Sequence, residues 1–573
     1  SYIGTDNKLI GNGFTPEHML SGDRDQIHTR PDWSNNYYHH LALNGSHWVN
    51  NDVMLSGNAY YRKSNRHTKN GDLYESEMDA GDPHEIYGSG LTCADASGEC
   101  ELKGSVLNTT HTKQDNYGLA GQVTFNQDFM GKKNQFIVGT GFDYSLIRFK
   151  QNERVNISDE SEGTVGGSIT PAETVFDSTR EAILSGAGLL PQTQTTGLKG
   201  KQWTASLFAT DTLSLNDKWH LNAGVRYNHT KVDNDDTLRG ALSPRTLTAV
   251  DDYKRLNPSI GITHTPTDRL SIFGTYSESS RAPTSIELGC SNPAYGCLLP
   301  SAMADDPPLK QVVAKTYDFG ARGSLTEEIK WNASIYHAMN HQDLQFIRAG
   351  NSTSRGYYSN VGRTERQGLD LGLGGQHDRF RWNASYSYIR ATFDSDFSLV
   401  NSANSSAPDS GVDKSIYNVT KGNRMPSIPA HQFKARAQYD VTPQWSVGTN
   451  LVYFSDQYVM GNENNKHEAN TADCLNSGSL RGNDRACGSG KISDYTLVNL
   501  DTQYNFGGGW KAFAKAINIF DNDYYVAGRL AETMFDASGA YNDEIKSRGV
   551  IPGAPRAAWV GFRYEFGGAP EAK

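Results

Sequence analysis

No stretch of this 573-residue chain approaches roughly 18 consecutive apolar residues, and its mean hydropathy is −0.61, which excludes a helical membrane protein. A basic excess is also missing. Lys and Arg total 54 against 64 Asp and Glu, a net charge of −10, so the chain has no nucleic-acid footprint. Cysteine is scarce at six, with no Cys-x-x-Cys pair and no His at ligand spacing, which argues against a zinc site. The opening residues Ser1-Tyr2-Ile3-Gly4-Thr5-Asp6 carry neither a basic nor an apolar export segment, so any secretory signal is expected to have been removed or to lie outside this chain. No self-similar period of about 40–50 residues marks a propeller or solenoid. What is abundant is Gly (57) and aromatic residues (10%), with Tyr (29) above Phe (22), a mix suited to long strands with aromatic girdles.

Alternation of period two recurs along the chain. Between Asp52 and Tyr61 one face carries Val53, Leu55, Gly57, Ala59 and Tyr61, and the other Met54, Ser56, Asn58 and Tyr60. Leu221, Ala223, Val225 and Tyr227 repeat the apolar face against Asn222, Gly224, Arg226 and Asn228. Short turns are expected near Asn50-Asn51, Gly131, Asn216-Asp217, Asp268, Thr326-Glu327, Asp378, Thr442-Pro443 and Gly507-Gly508-Gly509. Between them lie long polar segments at about 66–114, 151–200, 233–249, 281–310, 396–426, 460–490 and 525–552. Strict alternation of short and long connections is the signature of an outer-membrane barrel, with short periplasmic turns and long extracellular loops. The reading is all-β: seventeen complete strands from 35–49 to 554–566, one element spanning Glu327 to Phe346, and residues 1–8 as the tip of an eighteenth strand.

The cysteines fall into three close pairs, Cys93/Cys100, Cys290/Cys297 and Cys474/Cys487, all within long polar segments. Local disulfides clipping exposed loops are the economical reading, and they imply an oxidising compartment.

At Tyr276-Ser277-Glu278-Ser279-Ser280-Arg281-Ala282-Pro283-Thr284 the chain resembles the TonB-dependent outer-membrane receptors. Asp305-Asp306-Pro307-Pro308-Leu309-Lys310 running into Thr316–Gly323, Asn518-Ile519-Phe520-Asp521-Asn522-Asp523-Tyr524-Tyr525, and Gly553-Ala554-Pro555-Arg556 followed by Trp559–Phe566 extend the likeness. The resemblance implies a transmembrane antiparallel barrel of 22 strands around a plug. Residues 1–566 would be strands 5 to 22 and residues 567–573 a tail, with plug, TonB-binding segment and first strands outside the chain. Strand edges are then expected at 35–49 and 554–566. The implied function is active import of a scarce nutrient, foremost a ferric siderophore, in the bacterial outer membrane. The partners are TonB, a metal-chelate cargo and outer-membrane lipid or lipopolysaccharide, with no nucleic acid and no cofactor. A passive 18-stranded porin, which would begin with an eight-residue strand, and a surface interaction protein are the alternatives.

No catalytic constellation stands out, so no enzyme is expected. His39-His40 and His337/His341 suggest metal ligands, but on a strand His337 and His341 lie roughly 13 Å apart, which favours ordinary polar residues and no metal. For an anionic chelate at the outer mouth, Arg and Tyr are the suitable chemistry. Arg281, Arg348, Arg355, Tyr357, Tyr358 and Tyr458 are the candidates near outer strand ends, with girdle and loop-bracing roles as the alternative.

Overall fold

The computed structural model describes residues 1–566 except 12, 22–23, 80–91, 94–98, 159–164, 167–171, 173, 187, 241–242, 244–245, 290–296, 299–308, 349–354, 409–414, 470–487 and 536–540. The expected tail 567–573 lies outside the described residues. Eighteen strands form one antiparallel sheet. In chain order they are β1 (Tyr2–Ile10), β2 (Asp32–Trp48), β3 (Val53–Asp79), β4 (Glu99–Phe125), β5 (Asn134–Ile157), β6 (Thr193–Ser214), β7 (Trp219–Asp236), β8 (Ala249–Thr267) and β9 (Leu270–Arg281). The second half comprises β10 (Val312–Ser324), β11 (Ile329–His341), β12 (Arg363–His377), β13 (Phe380–Phe393), β14 (His431–Asp440), β15 (Trp445–Phe454), β16 (Tyr495–Gly507), β17 (Trp510–Ile517) and β18 (Ala557–Tyr564). Each strand pairs with its neighbour in sequence, so the wall is a continuous meander.

All short turns sit at one end and have local chemical causes. The Asn50 and Asn216 side chains each accept two following backbone N–H groups, and the Thr326 and Thr442 hydroxyls do the same. Gly507, Gly508 and Gly509 turn the β16–β17 hairpin with φ of 81°, 58° and 87°, a left-handed run that side chains would strain.

Register fixes the faces. Tyr61, Tyr117 and Tyr144 pair across β3, β4 and β5, as do Ala59, Leu119 and Phe142, and Val53, Phe125 and Phe136. That face carries exposed Leu119, Leu207, Val225, Ile260, Phe319, Ile335, Val560 and Phe562, a lipid-facing belt. Eight residues separate the Phe125/Phe136 row from the Tyr117/Tyr144 row, roughly 26 Å along the strand, so the two rows bracket an apolar band. Ser56 and Asn58 lie on the opposite, polar face beside Gln122 and Ala120. There Tyr60 lies across Gly118, where a Cβ would meet the ring at 1.9 Å, and its hydroxyl donates to Asp143 at 2.6 Å.

Three expectations are corrected. Residues 66–79 and 99–114 are not loop, because β3 and β4 continue as a ladder of 27 residues each. The element expected from Glu327 to Phe346 breaks after His341 at Gln342, which has φ 56°, and its partner breaks at Gly362, φ 86°. Beyond the break, Leu344–Arg348 and Arg355–Asn360 form a separate small sheet with Cys297–Leu298. Finally, the wall's first edge is β1 rather than the strand at 35–49. All nine residues of β1 pair with β2, from Tyr2↔Leu41 to Ile10↔Trp33. Among the described residues, the short-turn half of β2, Leu43–Trp48, has no partner on that side and β18 pairs with β17 alone.

Candidate functional site

The long connections gather at the far end of the wall, where the sequence reading expects the cargo mouth. Arg281 ends β9 and reaches the one-turn helix Ser285–Leu288. Its guanidinium donates to both oxygens of Glu287 at 2.6 and 3.0 Å. Glu287 also accepts from the Thr284 backbone N–H, closing a capping box. The helix is anchored by Leu288, buried with Val232, Leu309, Val312 and Leu344 and packed against Tyr358. Arg281 is therefore a loop brace. Burial raises the phenol pKa of Tyr357 and, with Glu287 nearby, that of Tyr358, so both stay protonated hydrogen-bond donors. Ile347 pairs with Tyr357, and Arg348 with Gly356. The backbone thus places Arg348, Arg355, Tyr357 and Tyr358 in one loop sheet, although the side chains of Arg348 and Arg355 lie outside the described residues. Tyr458 belongs to a different loop pair, Gln457–Tyr458 with Lys491–Ile492. The Lys491 ammonium sits 4.6 Å over its ring and is bound to Asp456 at 2.9 Å.

The sequence reading missed a second group. On the inward face of β2 and β3, Tyr38, His40, Tyr60, Arg62 and Arg66 stand together. The Tyr38 and His40 rings are 6.4 Å apart, and those of His40 and Tyr60 5.9 Å. Arg62 is exposed between His40 and Asn116, while Arg66 donates to Ser34 at 3.2 Å. The signal was parity: these residues share the even-numbered face with Ser56 and Asn58. Guanidinium groups beside aromatic rings can neutralise and stack on a flat anion. His39 points to the other face, where Tyr2 bonds its Nδ1 at 2.8 Å. His337 bonds Glu365 at 3.2 Å, and no group of three or more metal-ligating side chains occurs among the described residues.

The first long connection, residues 11–31, is knitted to the last, the hairpin of Tyr525–Phe535 and Tyr541–Pro552. Thr15 and Pro16 pair with Val550 and Gly549, and Glu17 holds Arg548. His18 bridges Ser547 and the Phe535 carbonyl, and Arg24 binds Asp523 at 3.0 Å. His28 bonds Thr533 at 2.9 Å, and burial, then Arg529, His18 and Arg180, push its pKa down to about 3. These contacts bring the two ends of the sheet together at the mouth. A cavity of 1530 Å³ lies at the opposite end, lined by Lys218, Arg269, Arg322, Glu328, Asn332 and Trp382, away from the long connections.

The three cysteine pairs fall on residues whose placement or side chains lie outside the described residues. The backbone puts Cys93, Cys100 and Cys297 at the long-connection end.

Comparison with known proteins defines the class. Residues 3–519 match the model of the TonB dependent receptor-like β-barrel, and the chain belongs to that family. Its members are receptors of the outer membrane rather than enzymes. The chain is 26% identical over 257 residues to the probable TonB-dependent siderophore receptor PiuA of Acinetobacter baumannii, covering 44% of this chain and 32% of PiuA. It is 20% identical over 316 residues to the metal-pseudopaline receptor CntO of Pseudomonas aeruginosa, covering 55% and 36%. The matched stretches thus span about a third of these relatives' length. Among solved structures, the ferric-catecholate import receptor Fiu of Escherichia coli K12 superposes with a TM-score of 0.60 at 15% identity, covering 98% of this chain and 71% of Fiu. The ferric citrate transporter FecA gives 0.61 at 13% identity, covering 98% and 66%.

Proposed function

We propose that this chain is the barrel wall of a TonB-dependent importer that carries a ferric siderophore across the outer membrane. The observation carrying this reading is the family match over residues 3–519, on a wall whose short turns and long connections are segregated to opposite ends. The names of PiuA, CntO, Fiu and FecA support an iron or metal chelate as cargo. Residues 1–566 correspond to strands 5 to 22 of a 22-stranded barrel. The unpaired edges at Leu43–Trp48 and β18 support this, since backbone groups left open in hydrocarbon cost several kcal/mol each. A plug and TonB-binding segment outside these residues couple the barrel to TonB, and the long connections face the cell exterior amid lipopolysaccharide. Arg62 and Arg66, with Tyr38, His40, Tyr357 and Tyr358, present the chelate-binding chemistry on the mouth wall. Arg348 and Arg355 join them from the loop sheet, and the three local disulfides shape the loops.

The test is growth of a strain deleted for the full gene on a panel of ferric chelates, with and without TonB. Loss of growth on one chelate, reproduced by deleting TonB, is the expected result. Uptake that persists without TonB would replace this reading with a passive porin. Substituting Arg62→Ala and Arg66→Ala should weaken binding of that chelate to the full-length receptor. An unchanged affinity would remove the two arginines from the site.

A further inference from the structure

The inner face of β2–β7 is almost free of charge. From the short turns up to the Tyr60 rung it is built from uncharged side chains such as Asn44, Ser56, Gln122, Thr210 and Asn222. Arg226 of β7 is the exception, and no other guanidinium, ammonium or carboxylate group shares that stretch of the inner face among the described residues. Asp143, on the Tyr60 rung itself, already accepts the Tyr60 hydroxyl at 2.6 Å. Three other guanidinium groups at inward positions are neutralised by the protein: Arg255 by Glu278 at 2.6 Å, Arg381 by Asp440 at 2.7 Å and Arg436 by Asp501 at 2.8 Å.

Neutral partners hold Arg226 in place. Its Nε donates to Asn228 at 2.9 Å and its Nη2 to the buried Ser206 hydroxyl at 2.8 Å, while the guanidinium lies 5.4 Å over the Phe208 ring. Phe208 in turn lies across Gly139, where a Cβ would meet the ring at 2.4 Å. The glycine lets the ring lie down on the wall, and the ring supports the guanidinium above it. Arg226 is exposed, and its Nη1 has no partner among the described residues. Amide, hydroxyl and ring thus orient the charge without cancelling it.

Beside Phe208 the wall holds a cavity of 410 Å³, lined by Asn44, Ser46, Ser56, Asn58 and Gln122. Those amides and hydroxyls can hydrogen-bond an anion's oxygens and add no carboxylate to repel it. Arg226 pairs with Phe208, Phe208 with Gly139, Gly139 with Gln122 and Gln122 with Ser56, so cation, ring and cavity share one rung. Arg62 stands three rungs nearer the long connections, roughly 20 Å along β3.

We propose that Arg226, Phe208 and this cavity form a second station for an anionic ferric chelate, halfway down the inner wall. The inference deepens the importer reading and rests on it. On leaving Arg62 and Arg66, the chelate's negative oxygens would accept charge-assisted hydrogen bonds from Nη1. One free guanidinium edge holds an anion weakly enough to release it, as a site of passage requires.

The test uses the full-length receptor in cells and the radioiron-labelled chelate that the growth panel selects, at equal receptor abundance in the outer membrane. Arg226→Gln should leave chelate binding to TonB-deleted cells unchanged and lower the maximal TonB-dependent uptake rate about tenfold, because a charge-assisted hydrogen bond is lost. Arg226→Lys, which keeps the charge, should restore much of that rate. Lys434→Gln removes a cation lying over Phe454 on β14 and should behave as wild type. An unchanged rate in Arg226→Gln, an equal loss in Lys434→Gln, or weakened binding without a fall in rate would overturn the proposal. So would new permeability of Arg226→Gln cells to vancomycin, since Arg226 would then be holding a plug carboxylate rather than cargo. Wild-type cells that import no chelate through TonB would sink the importer reading and the station with it, whereas import indifferent to Arg226 would sink the station alone.

Discussion

Arg548 grips Glu17 across 531 residues of chain, its Nη2 donating to both carboxylate oxygens at 2.5 and 2.6 Å and its Nε to one of them at 3.0 Å. The first loop and the last hairpin meet in this fork. Arg548→Ala should destabilise that contact by about 1–3 kcal/mol, because the half-buried Glu17 loses its partner. Hydrogen exchange should quicken at residues 15–20 and 547–550 and stay unchanged in β7 and β12. Unaltered protection at both loops would show that the fork does not hold them.

Acid should loosen the same junction. The folded state holds His28 at a pKa of about 3, below the ordinary 6.5, so folding favours the neutral ring. Its contribution is fully present above about pH 6.5 and is lost as pH falls toward 3, because the released ring takes up a proton that the buried one refuses. Protection of the Thr533–Phe535 amides should fall over that window, and His28→Gln should flatten the slope. A pH-independent profile in the unsubstituted receptor would contradict this.

Side-chain parity predicts a third outcome. Leu207 pairs with Thr140, midway between the two aromatic rows, so Leu207→Arg should cost about 2–4 kcal/mol in a bilayer. Leu55→Arg, one rung nearer the short turns, should cost less, and Ser56→Arg on the polar face little. Refolding into lipid vesicles measures all three, and equal costs at Leu207 and Ser56 would refute the face assignment.

For the cysteines, non-reducing peptide mapping should recover Cys93–Cys100, Cys290–Cys297 and Cys474–Cys487. A crossed pair would sink the local-loop reading.

The seventeen full strands were legible because lipid on one side and water on the other enforce alternation. Where that asymmetry ends, so does the signal. Along Arg66-His67-Thr68-Lys69-Asn70 both faces of β3 carry polar residues, so the sequence reads as loop although the ladder continues to Asp79. The break at Gln342 was hidden for the opposite reason, since Leu344 and Phe346 prolong the alternation into a separate sheet. At the mouth, Arg281 was found by its position at a strand end, but its partner Glu287 depends on a helical turn six residues on. Arg62 and Arg66 were overlooked because attention to strand ends misses residues lower on the wall.

The β3–β4 hairpin carries a consequence for whatever approaches the cell. Eighteen residues of each strand extend past the Tyr61–Tyr117 pair, roughly 60 Å of ladder. Leu73 is buried with Met19, Val175, Phe176 and Phe535 of other connections, so on the orientation proposed above an antibody or a phage tail fibre would meet only the part of the ladder beyond Tyr74. Variation near Asp79 and Glu99 would then alter immune and viral recognition while leaving the aromatic and arginine group of Tyr38, His40, Tyr60 and Arg62 in place.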